Sequence, residues 1–366
     1  MNYQNINDIA FIGDLHFGVK NDNEVFLNHF LEFFENKFFP WLKENNIKTI
    51  FQFGDFMDKR KSVNIQTLNQ VRERFIKYLQ ENDITLHILL GNHDVYYKTT
   101  NYVNSVEELF AQGQYDNLIT YNYPTEVIFD NIKVLVIPWI TEDNEKEIVD
   151  AINKTDAQYC LGHLELSGFE FAKGIMSHHG TETNIFSKFK HVYTGHYHTS
   201  STKDNITYLG TPYEITWSDY NDSKFVYLFN TQNEELSKIS LNERMFCYID
   251  WDDDLSSEWL STGKIDMKTR YNIAKGCSYK VVVTDEKWDT QVDSFVRWLD
   301  KTYTSNKIIV IDLYNNFDED VDYDSIEKYN TIDLLYKAVS DLPRSNDLTE
   351  IVRQLYNEAL LEQVTE

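Results

Sequence analysis

Five apolar runs in the first two hundred residues end at or next to a glycine, followed by a carboxylate, an amide or an imidazole. They are "DIAFIGDLH" (8–16), "KTIFQFGD" (48–55), "ITLHILLGNHD" (84–94), "AQYCLGH" (157–163) and "HVYTGHYH" (191–198). Apolar runs this short, closed by glycine and polar residues, read as buried strands. Helical periodicity lies between them. "EVFLNHFLEFFENKFFPWLKENN" (24–46) predicts a helix broken or kinked near Pro40. A second helix is expected across roughly 64–81. "IKVLVIPW" (132–139) reads as a further strand, and "ITYLGTP" and "KFVYLFN" as later, antiparallel ones. Strands alternating with helices define an α/β fold. In such sheets ligands bind at the carboxyl ends of strands, where these polar residues fall.

Length and charge narrow the reading. At 366 residues the chain exceeds the size at which one core stops growing, so two or more domains are expected. Its net charge of −25 counts against a nucleic-acid binder. A polyanionic substrate would need local compensation, from metal ions or a partner subunit. The three cysteines, Cys160, Cys247 and Cys277, are far apart and lack metal spacing, which suits a reducing compartment. No basic segment precedes the first strand, so no signal peptide is expected. No apolar run approaches the ~18 residues that would span a bilayer.

The texture changes near residue 245. "DWDDDLSSEW" (250–259) reads as acidic and helix-poor. A strand at 278–285, a helix at 291–303 with Val292, Phe295, Val296 and Leu299 on one face, and a strand at 306–314 predict a small second domain over 245–314. Residues 315–325 carry no Lys or Arg and read as part of a solvated linker over 315–329. Two amphipathic helices are expected over 330–366, the second with capping-box spacing between Asp347 and Glu350.

The strand-end residues are Asp14, His16, Asp55, Asn92, His93, Asp94, His163, His196 and His198. Taken singly, each has an ordinary explanation. Asp55 would serve as a helix N-cap, His163 as a satisfied core histidine, and Asn92-His93-Asp94 as a turn. Taken together they supply carboxylate, amide and imidazole donors, a mix that suits Mn, Fe or Zn better than Ca or Mg alone. They suffice for two ions, with Asp55 free to bridge. No cysteine takes part, which argues against a structural zinc site. In an extended segment His196 and His198 would face one side, with Tyr197 turned away. Two cations about 3.5–4 Å apart clamp a phosphate and lower the pKa of water. A protonated imidazole nearby adds ~10²–10⁴-fold by proton transfer to the leaving oxygen.

The order Asp-x-His, Gly-Asp-x-x-Asp, Gly-Asn-His-Asp, Gly-His, Gly-His-x-His resembles the calcineurin-like metallophosphoesterase superfamily. Within it, "GDLHFGVK", "QFGDFMDKRK", "LLGNHD", "GHLELSGFEF", "GHYHT" and "YLGTPYEITW" are similar to the SbcD/Mre-eleven nuclease family. The short cap and tail resemble its T-even-type bacteriophage form. The resemblance implies a four-layer α-β-β-α core over 1–244, two packed mixed sheets flanked by helices. It also implies a small α+β DNA-contacting cap at 245–314, and a helix-loop-helix at 330–366 that docks on an ATPase partner of the SbcC or Rad-fifty type. Asp14, His16, Asp55 and His198 would hold one metal, and Asp55, Asn92, His163 and His196 the other. His93 would contact the phosphate and serve the leaving group, and Asp94 would orient His93. Manganese would be preferred, with magnesium usable. The implied activities are exonuclease on duplex DNA and endonuclease on single strands, in recombination and repair, in the (host) cytoplasm. A homodimer through core helices, including 64–81, is implied as well.

Other residues carry two readings. Lys59, Arg60 and Lys61 are DNA-backbone contacts or a solvated basic turn. His178 and His179 are a substrate-side loop or plain surface. Tyr213 and Trp217 stack on bases or pack in the core. His29 and His87 read as structural. The alternative function, a metallophosphoesterase acting on a small-molecule or protein phosphate, shares every ligand. A non-catalytic scaffold on the same fold would have lost some of them.

Overall fold

Side-chain alternation along each strand decides how the layers stack. In the strand Asp8–Ile12, Ile9 and Phe11 face one way, and Ala10 and Ile12 the other. The computed structural model describes residues 1–111, 115–172, 175–177, 180–241, 244–271, 273–283, 289–305 and 307–312. The expected linker at 315–329, the helices expected at 330–366, and His178 and His179 lie outside the described residues.

Asp8–Ile12, Thr49–Gln52, Thr85–Leu89 and Leu118–Tyr121 run parallel in that order. Val226–Asn230 joins the Asp8–Ile12 edge antiparallel and carries Glu235–Ile239 outside it, completing a six-stranded sheet. A seven-stranded mixed sheet has Ile132–Ile137, Tyr159–His163, His191–Gly195 and Ile206–Tyr208 parallel at its centre. Between the sheets lies an apolar layer of Ile9, Phe11, Phe51, Phe53, Leu89, Val134, Val136, Tyr159, Leu161 and Tyr193. The opposite face of the first sheet packs Ile12, Ile50, Leu86 and Ile88 against the two long helices. The opposite face of the second packs Leu135, Ile137, Cys160 and Val192 against Ile148 and Ile152 of the helix Glu145–Lys154. The layers are therefore helix, sheet, sheet, helix, with both sets of parallel strands ending on the same rim.

The first helix runs Glu24–Phe33, passes through a π-turn at Phe34–Phe38 and continues as Phe39–Glu44. The break expected near Pro40 is this π-turn. Proline has no N–H for the fourth carbonyl back, and the wider turn lets the Phe39 N–H reach the Phe34 carbonyl. The second helix covers Ile65–Glu81 with a π-turn at Arg72–Ile76, and the Asn64 side chain caps it by accepting from the Gln66 N–H. Of the later strands, Val226–Asn230 is antiparallel to both neighbours, whereas Ile206–Tyr208 is parallel to His191–Gly195.

Beyond residue 244 a three-stranded sheet orders Arg244–Trp251, Ile273–Val283 and Lys307–Asp312. The segment expected to be helix-poor instead forms the helix Asp253–Thr262. Its acidic run was misleading, because the acids gather at the N-terminus, where the helix dipole favours negative charge. Asp252 caps the helix, its carboxylate accepting from the Leu255 N–H at 2.7 Å. The helix Asp289–Tyr303 buries Val292, Phe295 and Leu299.

His87 sits among the aromatic rings of the inter-sheet layer. It is fully buried, parallel to Phe51 and 2.8 Å from the Tyr121 hydroxyl. Burial pushes its pKa down to about 3. The unfolded chain binds this proton below about pH 6.5 and the native state does not. The stability tied to neutral His87 is thus complete above about pH 6.5 and is lost as pH falls toward 3. A His87→Phe/Tyr121→Phe variant should show a shallower loss of unfolding free energy between pH 6 and 4, by up to about 1.36 kcal/mol per pH unit. Urea unfolding at several pH values reads this, and an unaltered slope would show that His87 is not the group responsible.

Candidate metal centre

Every strand-end ligand predicted from the sequence arrives at the shared rim of the two sheets. Asp14 and His16 follow Asp8–Ile12, and Asp55 follows Thr49–Gln52. Asn92 follows Thr85–Leu89, His163 closes Tyr159–His163, and His196 and His198 follow His191–Gly195. Asp14, His16, Asp55 and His163 are all at least 97 % buried. Glycines make room for these side chains. A Cβ on Gly54 (φ 92°) would lie 2.4 Å from His163 Nδ1, and one on Gly195 would lie 2.5 Å from Asp14 Oδ1.

Two ligand sets meet at Asp55. On one side His16 Nε2 lies 3.1 Å from His198 Nε2 and 3.7 Å from Asp55 Oδ2, and Asp14 completes a group with the two histidines. On the other, Asn92 Oδ1 lies 3.1 Å from His163 Nε2 and 3.0 Å from His196 Nδ1, with Asp55 Oδ2 3.5 Å from His163 Nε2. The histidines are oriented from behind. His163 Nδ1 donates to the Phe53 carbonyl at 2.7 Å, and His16 Nδ1 donates to Asp58 Oδ1 at 3.1 Å. An imidazole tied down this way turns its other nitrogen lone pair inward, as metal-binding histidines do.

The electrostatics also suit cations. Burial opposes ionisation of Asp55, yet His163, His93 and His16 hold its carboxyl well below the usual range. Burial raises Asp14 to about 7, and the neighbouring Asp55 charge adds to that. Burial would lower His16, but Asp58, Asp55 and Asp14 outweigh it and carry the ring to about 9. His163 likewise rises to about 9 against its burial, through Asp55 and Asp14. His196 and His198 are pushed down to about 3 by burial, with His163 and His16 respectively adding repulsion. The carboxylates thus hold positive charge on two imidazoles, a task that divalent ions would take over while displacing those protons. Donor set, orientation and charge all fit divalent metal.

Several residues are placed differently from expectation. His196 and His198 do not share an extended strand, because the strand ends at Gly195 and His196 has φ 94°. Tyr197 is nevertheless turned away and buried, its hydroxyl donating to the Leu166 carbonyl. Asp94 does not orient the His93 ring. Its carboxylate accepts from the N–H groups of Phe56 (3.0 Å), Met57 (3.1 Å) and Gly91 (2.9 Å), and it clips the 54–58 turn to the 91–94 turn. The His93 ring donates instead from Nδ1 to the Asp58 carbonyl at 2.5 Å, and the His93 N–H donates to Asp55 Oδ1 at 2.7 Å. Tyr213, read as a substrate contact or as core packing, is a core residue. It is 2 % exposed, stacked on Phe30 at 3.8 Å, and donates to the Leu15 carbonyl. Lys59 pairs with Asp22 at 2.8 Å, Arg60 is half-buried and Lys61 is exposed.

Sequence reasoning missed four supports. Asp58 stood in the quoted motif without a role, yet it holds both His16 and His93. Gln52 is buried and braces the turn, donating to the Gly13 and Gly54 carbonyls. The buried Lys224–Asp219 pair fixes the His198 carbonyl, with Lys224 Nζ 2.9 Å away. The Trp139 ring centroid lies 5.2 Å from that of His196. Of these only Asp58 had a signal in its spacing. The other three act across long sequence separations.

Fold and donor set define a metal-dependent phosphodiester hydrolase. The chain belongs to the calcineurin-like phosphoesterase family, whose sequence profile matches residues 8–200. Among characterised proteins it is similar to exonuclease subunit 1 of Enterobacteria phage T4, with 33 % identity over 356 residues, 96 % of this chain and 99 % of that one. Among solved structures, an archaeal phosphodiesterase aligns at 13 % identity and TM-score 0.30, covering 64 % of this chain and 99 % of that one. GAP50, described as the anchor in the inner membrane complex of Plasmodium, aligns at 13 % identity and TM-score 0.36, covering 65 % and 89 %. Among the described residues no helix is long and apolar enough to cross a membrane.

Asp94→Asn puts an amide NH₂ against backbone N–H donors. It should cost about 1–3 kcal/mol of stability and weaken both ions together, because the two clipped turns carry ligands of both sets. His198→Ala should weaken one ion more than the other. Manganese titration calorimetry with thermal unfolding separates these outcomes, and an Asp94→Asn protein of unchanged stability would show that the clip is idle.

Proposed function

We propose that this protein is a two-metal DNA nuclease, the nuclease subunit of an SbcCD-like complex. One observation carries the reading: two ligand sets share Asp55, and His93 stands beside them with a free ring nitrogen. The full-length similarity to a phage exonuclease subunit supports DNA as substrate and an assembly with a second subunit. Bound divalent ions, with manganese preferred over magnesium, would lower the pKa of a water and neutralise the phosphate.

The protein's own groups do the rest. Asp14, His16, Asp55 and His198 form one side of the cradle, and Asp55, Asn92, His163 and His196 the other. The Asp58 carbonyl accepts a hydrogen bond from the His93 Nδ1–H and thereby aims Nε2 at the phosphate. From there the ring would donate to charged oxygen and protonate the departing one. His93 also lies within reach of a third group with His16 and Asp55. Its backbone tie to Asp55 and its partly exposed ring favour a phosphate-facing role over ligation.

The proposal extends to residues 245–314 as a DNA-contacting cap and 330–366 as the docking element for an SbcC-type ATPase. It further includes a homodimer through core helices and a cytoplasmic location. Duplex exonuclease and single-strand endonuclease are the activities proposed, with Lys59, Arg60 and Lys61 near the path of the strand.

The reading is tested by manganese-dependent cleavage of single-stranded and duplex DNA, with and without the ATPase. Cleavage of a generic phosphodiester with DNA left intact would favour a small-molecule or protein phosphate substrate instead. His93→Ala should keep both metals by native mass spectrometry and lose about 10²–10⁴-fold in turnover. Loss of a metal ion would make His93 a ligand. Deleting 330–366 should leave basal cleavage and abolish ATPase binding, and retained tight binding would place the docking site elsewhere.

A further inference from the structure

The turn that carries Asn92, His93 and Asp94 runs on into a finger, residues 95–104, with the sequence "VYYKTTNYVN". The Val95–Asn104 bridge closes its root, together with bonds from the Tyr96 N–H to the Val103 carbonyl and from the Ser105 N–H to the Asp94 carbonyl at 2.7 Å. The finger is also tied to the metal rim. Asn101 donates to the Trp139 carbonyl at 2.9 Å, and the Trp139 ring lies against His163 and His196. Its tip is therefore a fixed neighbour of the site.

What the finger shows to solvent is unusual for this chain. Among the described residues the exposed aromatic side chains are four tyrosines, and three of them are here. Tyr96 is 39 % exposed, Tyr97 50 % and Tyr102 80 %; apart from Tyr123, the other large aromatic rings among the described residues are buried or half-buried. The Tyr96 and Tyr97 rings meet edge to face at 4.8 Å. Residues 95–106 contain no Asp or Glu and one Lys, in a chain of net charge −25. The molecule as a whole repels a polyanion, but this stretch does not.

We propose that Tyr96, Tyr97 and Tyr102 form a base-stacking platform that holds unpaired nucleotides of a DNA strand beside the metal centre. The inference rests on the nuclease reading and adds how an unpaired strand would be held at the site. Stacking requires no positive charge, so it suits a protein that cannot attract DNA by bulk electrostatics. It also needs an exposed π-face, which bases in a duplex do not offer, and each stacked base strengthens binding substantially. The occupant favoured is a nucleic-acid strand rather than a protein, because the finger is continuous with the residues that would face the phosphate.

The test compares Tyr97→Ala and Tyr102→Ala with the unaltered full-length protein in manganese. The substrates are a short oligothymidine, the same strand made abasic, and bis(p-nitrophenyl) phosphate. Each variant should raise KM for the oligothymidine about five- to hundredfold, and Tyr→Phe at either position should restore it. Hydrolysis of the abasic strand and of the small diester should not change. Variants that match the unaltered protein on oligothymidine overturn the platform alone. So does an equal loss on all three substrates, which would mean that the finger only supports the metal rim. If the unaltered protein hydrolyses the small diester but leaves the oligothymidine intact, the nuclease reading falls and the platform falls with it.

Discussion

The buried carboxylate of Asp55 is the point on which the rest of the structure depends. Its oxygens lie between His16 and His163, and Oδ1 accepts the His93 N–H. Its carbonyl accepts the N–H groups of Leu15 and His16 at 3.1 and 2.9 Å. One residue thus ties the ends of three strands together through both its backbone and its side chain. An isolated carboxylate at this depth would be strongly disfavoured. It is tolerated because imidazoles surround it, and His163 and His16 in turn are aimed by Phe53 and Asp58. The same balance explains why the site suits divalent cations.

The two-sheet architecture makes that convergence possible. Phe11, Phe51, Phe53, Tyr159 and Tyr193 fill the space between the sheets and hold the strand ends level along one rim. Asp14, Asp55 and Asn92 come from the first sheet, and His163, His196 and His198 from the second. Neither sheet alone carries either complete set. Local backbone strain is accepted in return: His16, Asp55 and His196 all have positive φ, a conformation that costs of order 1–3 kcal/mol for such residues and clusters at working sites.

Much of the candidate site was legible in the sequence because its candidate ligands sit at strand ends, where a change from apolar to polar marks both the end of the strand and the chemistry. Asp14, His16, Asp55, Asn92, His163, His196 and His198 were all named on that basis, and all arrive at one rim. The two readings of Tyr213 stayed open because an aromatic in a glycine-proline loop gives no sign that it will stack on Phe30, far away in sequence. The acidic stretch at 250–259 was misread because charge alone does not separate a solvated loop from the capped N-terminus of a helix. Asp94 was misplaced because adjacency to His93 in sequence says nothing about which backbone N–H groups surround its carboxylate.

By itself the sequence determined the strand-and-helix alternation, the order of the ligands and the donor types offered to a metal. These follow from local rules: side-chain period, the conformational freedom of glycine, and ligand chemistry. The tertiary structure alone decided that Asp58 aims both His16 and His93, that Lys224 fixes the His198 carbonyl, and that three tyrosines stand exposed beside the metal rim. Those relations join residues tens of positions apart or depend on what is left uncovered. They come into being only when the two sheets close on their shared core.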